Sequence, residues 1–245
     1  MAAVAAVTLL STRNLSRSFG GLRAVDGVDF DLPAREIRAI IGPNGAGKTT
    51  FVSLVCGRVA PDRGEIVFEG RNITSMPAFR RVQLGIAYTF QVTSVFKNLT
   101  ALENVALAAQ NNVADVVARA ESVAARTASA LDRVGLSSRS AAKAGELPYG
   151  HQRLLEVAMA LALSPKLLIL DEPTQGLSDA EIADFCNLIR SIAAEATVLL
   201  IEHNMQVVMQ LAHRITVLNQ GSILAEGTPS EIRSNAAVQQ AYLGG

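Results

Sequence analysis

The sequence predicts an α/β fold interrupted by a helical insertion, and three observations point there. The apolar run Ile37 to Ile41 feeds a glycine-rich turn that opens a helix, a strand–turn–helix unit. From Thr100 the texture changes to alanine-rich, helix-favouring sequence with few β-branched residues. After Pro165 strands and amphipathic helices alternate again. The expected division is a core of residues 1–91 and 164–245 around a helical subdomain of residues 92–163.

In chain order, Leu9 to Ser18 and Ala24 to Leu32 read as strands flanking a Gly20-Gly21 turn. A helix from about Lys48 to Val55 stops at Gly57, which suits a C-terminal cap. Gly64 to Gly70 is a short strand bounded by turn residues. Thr100-Ala101-Leu102-Glu103 is a capping box, and helical sequence follows to about Val134, where Gly135 ends it. A further helix spans roughly Gln152 to Leu163 before Pro165. No a/d heptad persists through these helices, which argues against a coiled coil.

Lys166 to Leu170 is a buried strand, and Ser178-Asp179-Ala180-Glu181 is a second capping box. The helix it opens carries Ile182, Phe185, Ile189 and Ile192 on one face. Thr197 to Ile201 is a strand, Ile215 to Leu218 and Ser222 to Ala225 form a hairpin, and Thr228-Pro229 caps a final helix.

Gly42-Pro43-Asn44-Gly45-Ala46-Gly47-Lys48-Thr49-Thr50 fits G-x-x-x-x-G-K-S/T in full, in the strand-to-helix context that a phosphate-binding loop requires. Its backbone N–H groups and the helix start suit phosphate oxygens. Lys48 reaches the β/γ-phosphates and the Thr49 hydroxyl sits on Mg²⁺, so the bound ligand is a nucleoside triphosphate. In open α/β sheets chemistry collects at the carboxyl ends of strands. Asp171 and Glu172 end the run Leu167 to Leu170 there. Asp171 is the candidate Mg²⁺ ligand and Glu172 the candidate general base. His203 ends the next strand and is placed to order the attacking water, whereas His151 and His213 read as structural. Gln91 lies where the core passes into the insertion, and its carbonyl could hold Mg²⁺ or its water. Leu147-Pro148-Tyr149-Gly150-His151 precedes a helix whose free N–H groups form a second anion site, expected to face the nucleotide of another subunit.

Composition narrows the partners. The 245-residue chain is 49% hydrophobic, enough for one large core or two packed subdomains. Its 22 basic and 22 acidic residues balance, and nothing suggests a nucleic-acid footprint. Arg13, Arg17, Arg23, Arg80 and Arg81 read as solvated surface. Cys56 and Cys186 read as buried reduced thiols. Met1 to Leu10 is apolar but lacks the basic start of a secretory leader, and no run approaches the ~18 apolar residues of a span. The expectation is a soluble, cytoplasmic protein.

Together the P-loop, glutamine loop, LPYGHQR segment, LLILDEP and IEHN, in this order, resemble the ATPase subunits of ATP-binding cassette (ABC) transporters, over Leu9 to Gly244. That family has a RecA-like P-loop core, mainly parallel, with an antiparallel β subdomain. LPYGHQR stands where it usually has the LSGGQ signature, Pro173 to Asp179 matches its D-loop, and Phe19 takes the place of its adenine-stacking aromatic. The resemblance is closer to the branched-chain (hydrophobic) amino acid uptake branch, through Phe19-Gly20-Gly21-Leu22, Thr89-Phe90-Gln91, Leu99 to Val105, Leu147 to Gly150 and Tyr242-Leu243-Gly244. Pro148 for serine, Tyr149 for glycine, His151 for glutamine and Leu154 for arginine depart from the family pattern.

The resemblance implies an ATP- and Mg²⁺-dependent motor that pairs head to tail with itself or a related ATPase. It works at the cytoplasmic face of the membrane with two permease subunits and an external solute-binding protein. Similar ATPases serve importers of urea, amides or aromatic acids, and exporters share the core motifs. A soluble ABC protein of DNA repair or translation would carry long coiled coils or two cassettes, and a GTPase would carry N-K-x-D; neither is present.

Overall fold

Two sheets share the chain. The computed structural model describes residues 7–89, 94–110 and 116–243, without the side chains of 116–121 and 242–243. The first sheet is antiparallel, in the order β2-β1-β4-β5: β1 is Thr8–Phe19, β2 Leu22–Pro33, β4 Arg63–Phe68 and β5 Arg71–Asn72. The second sheet contains β3 (Ile37–Ile41), β6 (Ile86–Thr89), β7 (Leu167–Asp171), β8 (Thr197–Ile201), β9 (Arg214–Asn219) and β10 (Ser222–Gly227), in the order β10-β9-β3-β8-β7-β6. Only the β9–β10 hairpin is antiparallel among the pairings of this sheet. Helices cover both faces, so β3, β7 and β8 are buried at every position and read as continuous apolar runs.

The first helix, α1 (Lys48–Val55), follows β3 and buries Phe51, Val52, Leu54 and Val55 between the two sheets. Phe51 meets Phe30 of β2 edge-on, with ring centroids 5.3 Å apart. The alanine-rich region resolves into α3 (Ala101–Ala109), opened by the Thr100 capping box, and α4 (Val116–Arg133). With α5 (Tyr149–Leu161), α3 and α4 pack on the opposite sheet face, in a cluster shared with α6 (Asp179–Ala193). Ser178 and Thr228 cap α6 and α8 (Pro229–Ser234) through complete capping boxes, as expected from sequence. The chain ends in α9 (Ala236–Leu243). Among the described residues no helix is long and apolar enough to cross a membrane.

Several sequence expectations need correction. Helix α5 starts at Tyr149, three residues before Gln152, because Pro148 is an extended N-cap with a fixed φ. Helices α2 (Ala78–Gln83) and α7 (Met205–Leu211) were not expected, nor was α9, since the helix capped by Thr228 stops at Ser234 and is not the final one. Arg81 is not solvated. It is 1% exposed and its guanidinium donates to the carbonyls of Leu54, Val55, Thr74 and Met76 at 2.7 to 3.0 Å. It thereby satisfies the Val55 carbonyl at the end of α1 and adds a second donor to that of Leu54, which also accepts the Gly57 N–H. Arg13, Arg17 and Arg23 do lie at the surface, paired with Asp31, Asp62 and Asp26. Cys56 and Cys186 are buried and free, and burial pushes the Cys56 thiol up to about 12.

Candidate functional site

The carboxyl ends of β3, β7 and β8 bring the phosphate loop, Asp171-Glu172 and His203 to one edge of the sheet. Gly47 is the N-cap of α1, at φ 100°, and a Cβ there would stand 2.2 Å from the Ala24 carbonyl oxygen. Only glycine lets the loop turn this close to β2. Phe19, Leu22 and Ala24 form one wall of a cleft of about 350 Å³; Asn44 to Thr50 and Glu172 form the rest. That size suits a small-molecule site. Phe19 is 46% exposed, with the Arg17 guanidinium 4.9 Å from its ring centre. Another cavity, about 400 Å³ between α4, α5 and α6, contains none of the candidate residues.

Lys48 Nζ donates to the carbonyls of Gly42 (2.7 Å) and Pro43 (3.0 Å), which pins the loop and stations the ammonium at the cleft. Desolvation lowers its pKa, opposed by the charges of Glu172 and Asp171. Asp171 is 2% exposed and accepts the Tyr88 hydroxyl proton at 2.8 Å. Burial raises its pKa, against that hydrogen bond. A desolvated carboxylate at the end of β7, near enough to Lys48 for their charges to interact, is with the Thr49 hydroxyl an oxygen donor set that fits Mg²⁺. Tyr88 was not singled out by sequence; its distance of 83 residues from Asp171 left no local signal.

Glu172 has φ 48°, a conformation that costs energy outside glycine and clusters at functional sites. Its N–H donates to the Ile201 carbonyl at 2.9 Å, tying the ends of β7 and β8 together. His203 Nδ1 stands 3.8 Å from Glu172 Oε1, and both side chains reach solvent, at 62% and 21% exposure. His213 is structural, accepting the Ile37 N–H at its Nδ1. Gln91, and Phe90 beside it, lie outside the described residues.

Leu147 to His151 lie away from the phosphate-loop cleft. Of these, Gly150 and His151 line a separate hollow with Leu177, Glu181 and Asp184. Tyr149 is exposed and packs its ring against Gly176 of the loop after β7. Gly150 is buried in the first turn of α5, where a Cβ would meet the Glu181 carboxylate at 2.2 Å. Pro148 offers no capping side chain, so among the described residues the N–H groups of Tyr149, Gly150 and His151 are the free donors of this helix start. Among the described residues, His151 Nδ1 is buried without a hydrogen-bond partner.

Comparisons with known proteins follow this geometry. Residues 25–175 match the family described as ABC transporter, and residues 222–245 match branched-chain amino acid ATP-binding cassette transporter. The chain is 39% identical to the high-affinity branched-chain amino acid transport ATP-binding protein LivG of Salmonella typhimurium, covering 96% of this chain and 98% of the relative. It is likewise 39% identical to BraF of Pseudomonas aeruginosa, described in the same words, over the same shares of both chains. Among solved structures, a nucleotide-free ATP-binding cassette from an ABC transporter superposes with a TM-score of 0.88 at 30% identity, covering 98% of this chain and 100% of that one.

Proposed function

Because the chain belongs to the ABC transporter family, we propose that it is the ATP-hydrolysing subunit of an importer for branched-chain or related hydrophobic amino acids. The family assignment makes it an ATPase coupled to transport. The match at residues 222–245 and the relatives LivG and BraF favour amino acid uptake over urea, amide or aromatic-acid import and over export. The observation that carries the mechanism is the separation of two anion-binding helix starts. The phosphate loop lines the cleft with Phe19 and Glu172, whereas Gly150 lies in another hollow. One chain therefore supplies half of each of two sites in a head-to-tail pair, formed with itself or with a related ATPase.

In that pair Phe19 stacks on adenine, and the loop amides and Lys48 hold the β- and γ-phosphates. Thr49, Asp171 and Gln91 would hold Mg²⁺, which would supply positive charge to offset that of the phosphate oxygens. The partner's signature turn closes over the γ-phosphate through its free N–H groups. Glu172, partly open to solvent, accepts the proton of the attacking water as the oxygen bonds to the γ-phosphorus and ADP leaves. His203 sits beside Glu172 to orient that water. Residues 92–163 act as the helical subdomain that passes closure to two separate permease subunits at the cytoplasmic face of the membrane, with an external solute-binding protein delivering cargo.

Two variants test this. Lys48→Ala should lose both nucleotide binding and turnover. Glu172→Gln should bind ATP and pair more tightly while hydrolysis falls by ~10²–10⁴. Equal hydrolysis by Glu172→Gln and the parent would remove Glu172 from the role of base.

A further inference from the structure

Glu202 directly follows β8, immediately before His203, and is 1% exposed. Its two oxygens serve two different loops. Oε1 accepts the Thr174 N–H at 3.1 Å and the Thr174 hydroxyl in a very short contact. Oε2 accepts the N–H groups of His203 and Asn204, both at 3.0 Å. The carboxylate thus has four donors, two from the loop after β7 and two from the loop after β8. Glu172 is two residues before Thr174, and His203 is among the Oε2 donors. Asn204 then caps α7, accepting from Gln206 and Val207.

From this arrangement we infer that Glu202 is a positioning residue for hydrolysis: it clamps the Thr174 loop to the His203 loop and so sets the histidine against the Glu172 carboxylate. A strand-end carboxylate kept only for folding would need no division of its oxygens between the two loops that carry the reacting groups. A buried carboxylate is tolerated where every lone pair is matched by a donor, as it is here. The Thr174 loop continues to Gly176, against which Tyr149 of the signature turn packs. A shift of that turn on closing over the partner's nucleotide therefore reaches His203 through Thr174 and Glu202. The inference rests on the proposed roles of Glu172 and His203.

The decisive variant is Glu202→Gln, which keeps one acceptor oxygen and turns an amide NH₂ toward the donors of one loop. Losing that match should lower kcat about ten- to a hundredfold, with nucleotide affinity and KM unchanged. Thr174→Val removes only the hydroxyl donor and should lower kcat in the same sense, and Thr174→Ser should restore most of it. A second readout is independent of turnover. The chain has three histidines, so the His203 imidazole signal can be assigned by NMR with His203→Gln. Thr174→Val should move that signal in the nucleotide-free protein, whereas Thr174→Ser should leave it in place. Should Glu202→Gln fail to fold, the two Thr174 variants carry the test. Parental kcat in Glu202→Gln, alongside inactive Glu172→Gln and His203→Ala, overturns the inference, as does an unmoved His203 signal in Thr174→Val. If Glu172→Gln and His203→Ala themselves hydrolyse ATP normally, the catalytic reading fails instead, and the NMR response still reports whether the clamp exists.

Discussion

Helices α1 and α5 both begin without a side-chain cap, α1 behind Gly47 and α5 behind Pro148, and both place a glycine where a side chain does not fit. What crowds the glycine differs. At Gly47 the obstacle is the backbone carbonyl of Ala24, and the residue is held at φ 100°. At Gly150 it is the end of the Glu181 side chain, in ordinary helical backbone. A loop braced by backbone cannot yield, which suits the half of a site that holds the chain's own nucleotide. A turn braced by a carboxylate can shift, which suits an element that must close on another molecule's nucleotide.

The largest expected effect separates these two starts. Gly47→Ala combines a strained φ with a backbone clash and should lower nucleotide affinity by more than ~10²-fold, with about 1–3 kcal/mol of destabilisation. Gly150→Ala displaces Glu181 from its Ser178 capping box and should cost about 0.5–2 kcal/mol, leaving affinity for nucleotide in the isolated chain intact. Titration with a fluorescent nucleotide, paired with thermal unfolding, measures both. Equal loss of binding in the two variants would mean that the two helix starts serve one site.

Arg81 gives the next effect, because it ties the far end of α1 to the segment of Thr74 and Met76. Arg81→Met keeps most of the apolar stem and removes the donors to four carbonyls, of which, among the described residues, Leu54 alone keeps another, the Gly57 N–H, so we expect a loss of about 3 kcal/mol or more. In a domain of this size that lowers Tm by roughly 6–12 °C. The matching change at the surface neighbour, Arg80→Met, should be close to neutral. A small Tm change in Arg81→Met would show that the end of α1 needs no bracing.

The contrast between α1 and α5 also marks what the sequence could disclose. The placement of the phosphate loop, Asp171 and Glu172 at strand ends was legible because each sits beside an apolar run, and the capping boxes at Thr100, Ser178 and Thr228 were legible because their partners lie three residues away. Arg81 was misread because its acceptors are backbone carbonyls as far as 27 residues distant, which leave no trace in residue type. Glu202, within the IEHN segment, was given no role, since Thr174 lies 28 residues upstream. Strand β6 has four residues and α2 six, too short for periodicity to declare itself. The Asn204 cap of α7 was a readable signal that was overlooked.

A smaller effect is expected at the wall of the cleft. Phe19→Ala should weaken ATP and GTP alike by about 1–3 kcal/mol, because stacking uses the face that every base has. The step of hydrolysis should change little. Arg17 lies over the same ring, so Arg17→Ala should follow in the same direction with a lesser effect. A loss of ATP binding with GTP spared would assign Phe19 to reading the edge of adenine.

The smallest change, and the one that bears most directly on how the phosphate-loop cleft is arranged, concerns Asp171. Burial raises its pKa in the folded protein. A carboxyl whose folded pKa lies above its unfolded value binds protons more tightly when folded, so it lowers stability as pH rises through that interval. Without nucleotide and metal, Asp171 is therefore a liability above the ordinary carboxylate range, and Asp171→Asn should stabilise the free protein at pH 7 relative to the parent. The gain should vanish at pH 3 if the parental carboxyl is then protonated, and the Tyr88 hydroxyl can still donate to the amide oxygen. The same variant should lose Mg²⁺-dependent hydrolysis, since the charge that burial disfavours is the charge the cation requires. Thermal unfolding of both proteins at pH 3 and pH 7, with and without Mg²⁺ and nucleotide, separates the two. A destabilised Asp171→Asn at pH 7 without ligand would place Asp171 with the residues that hold the fold rather than with those whose burial the fold endures for the sake of the metal.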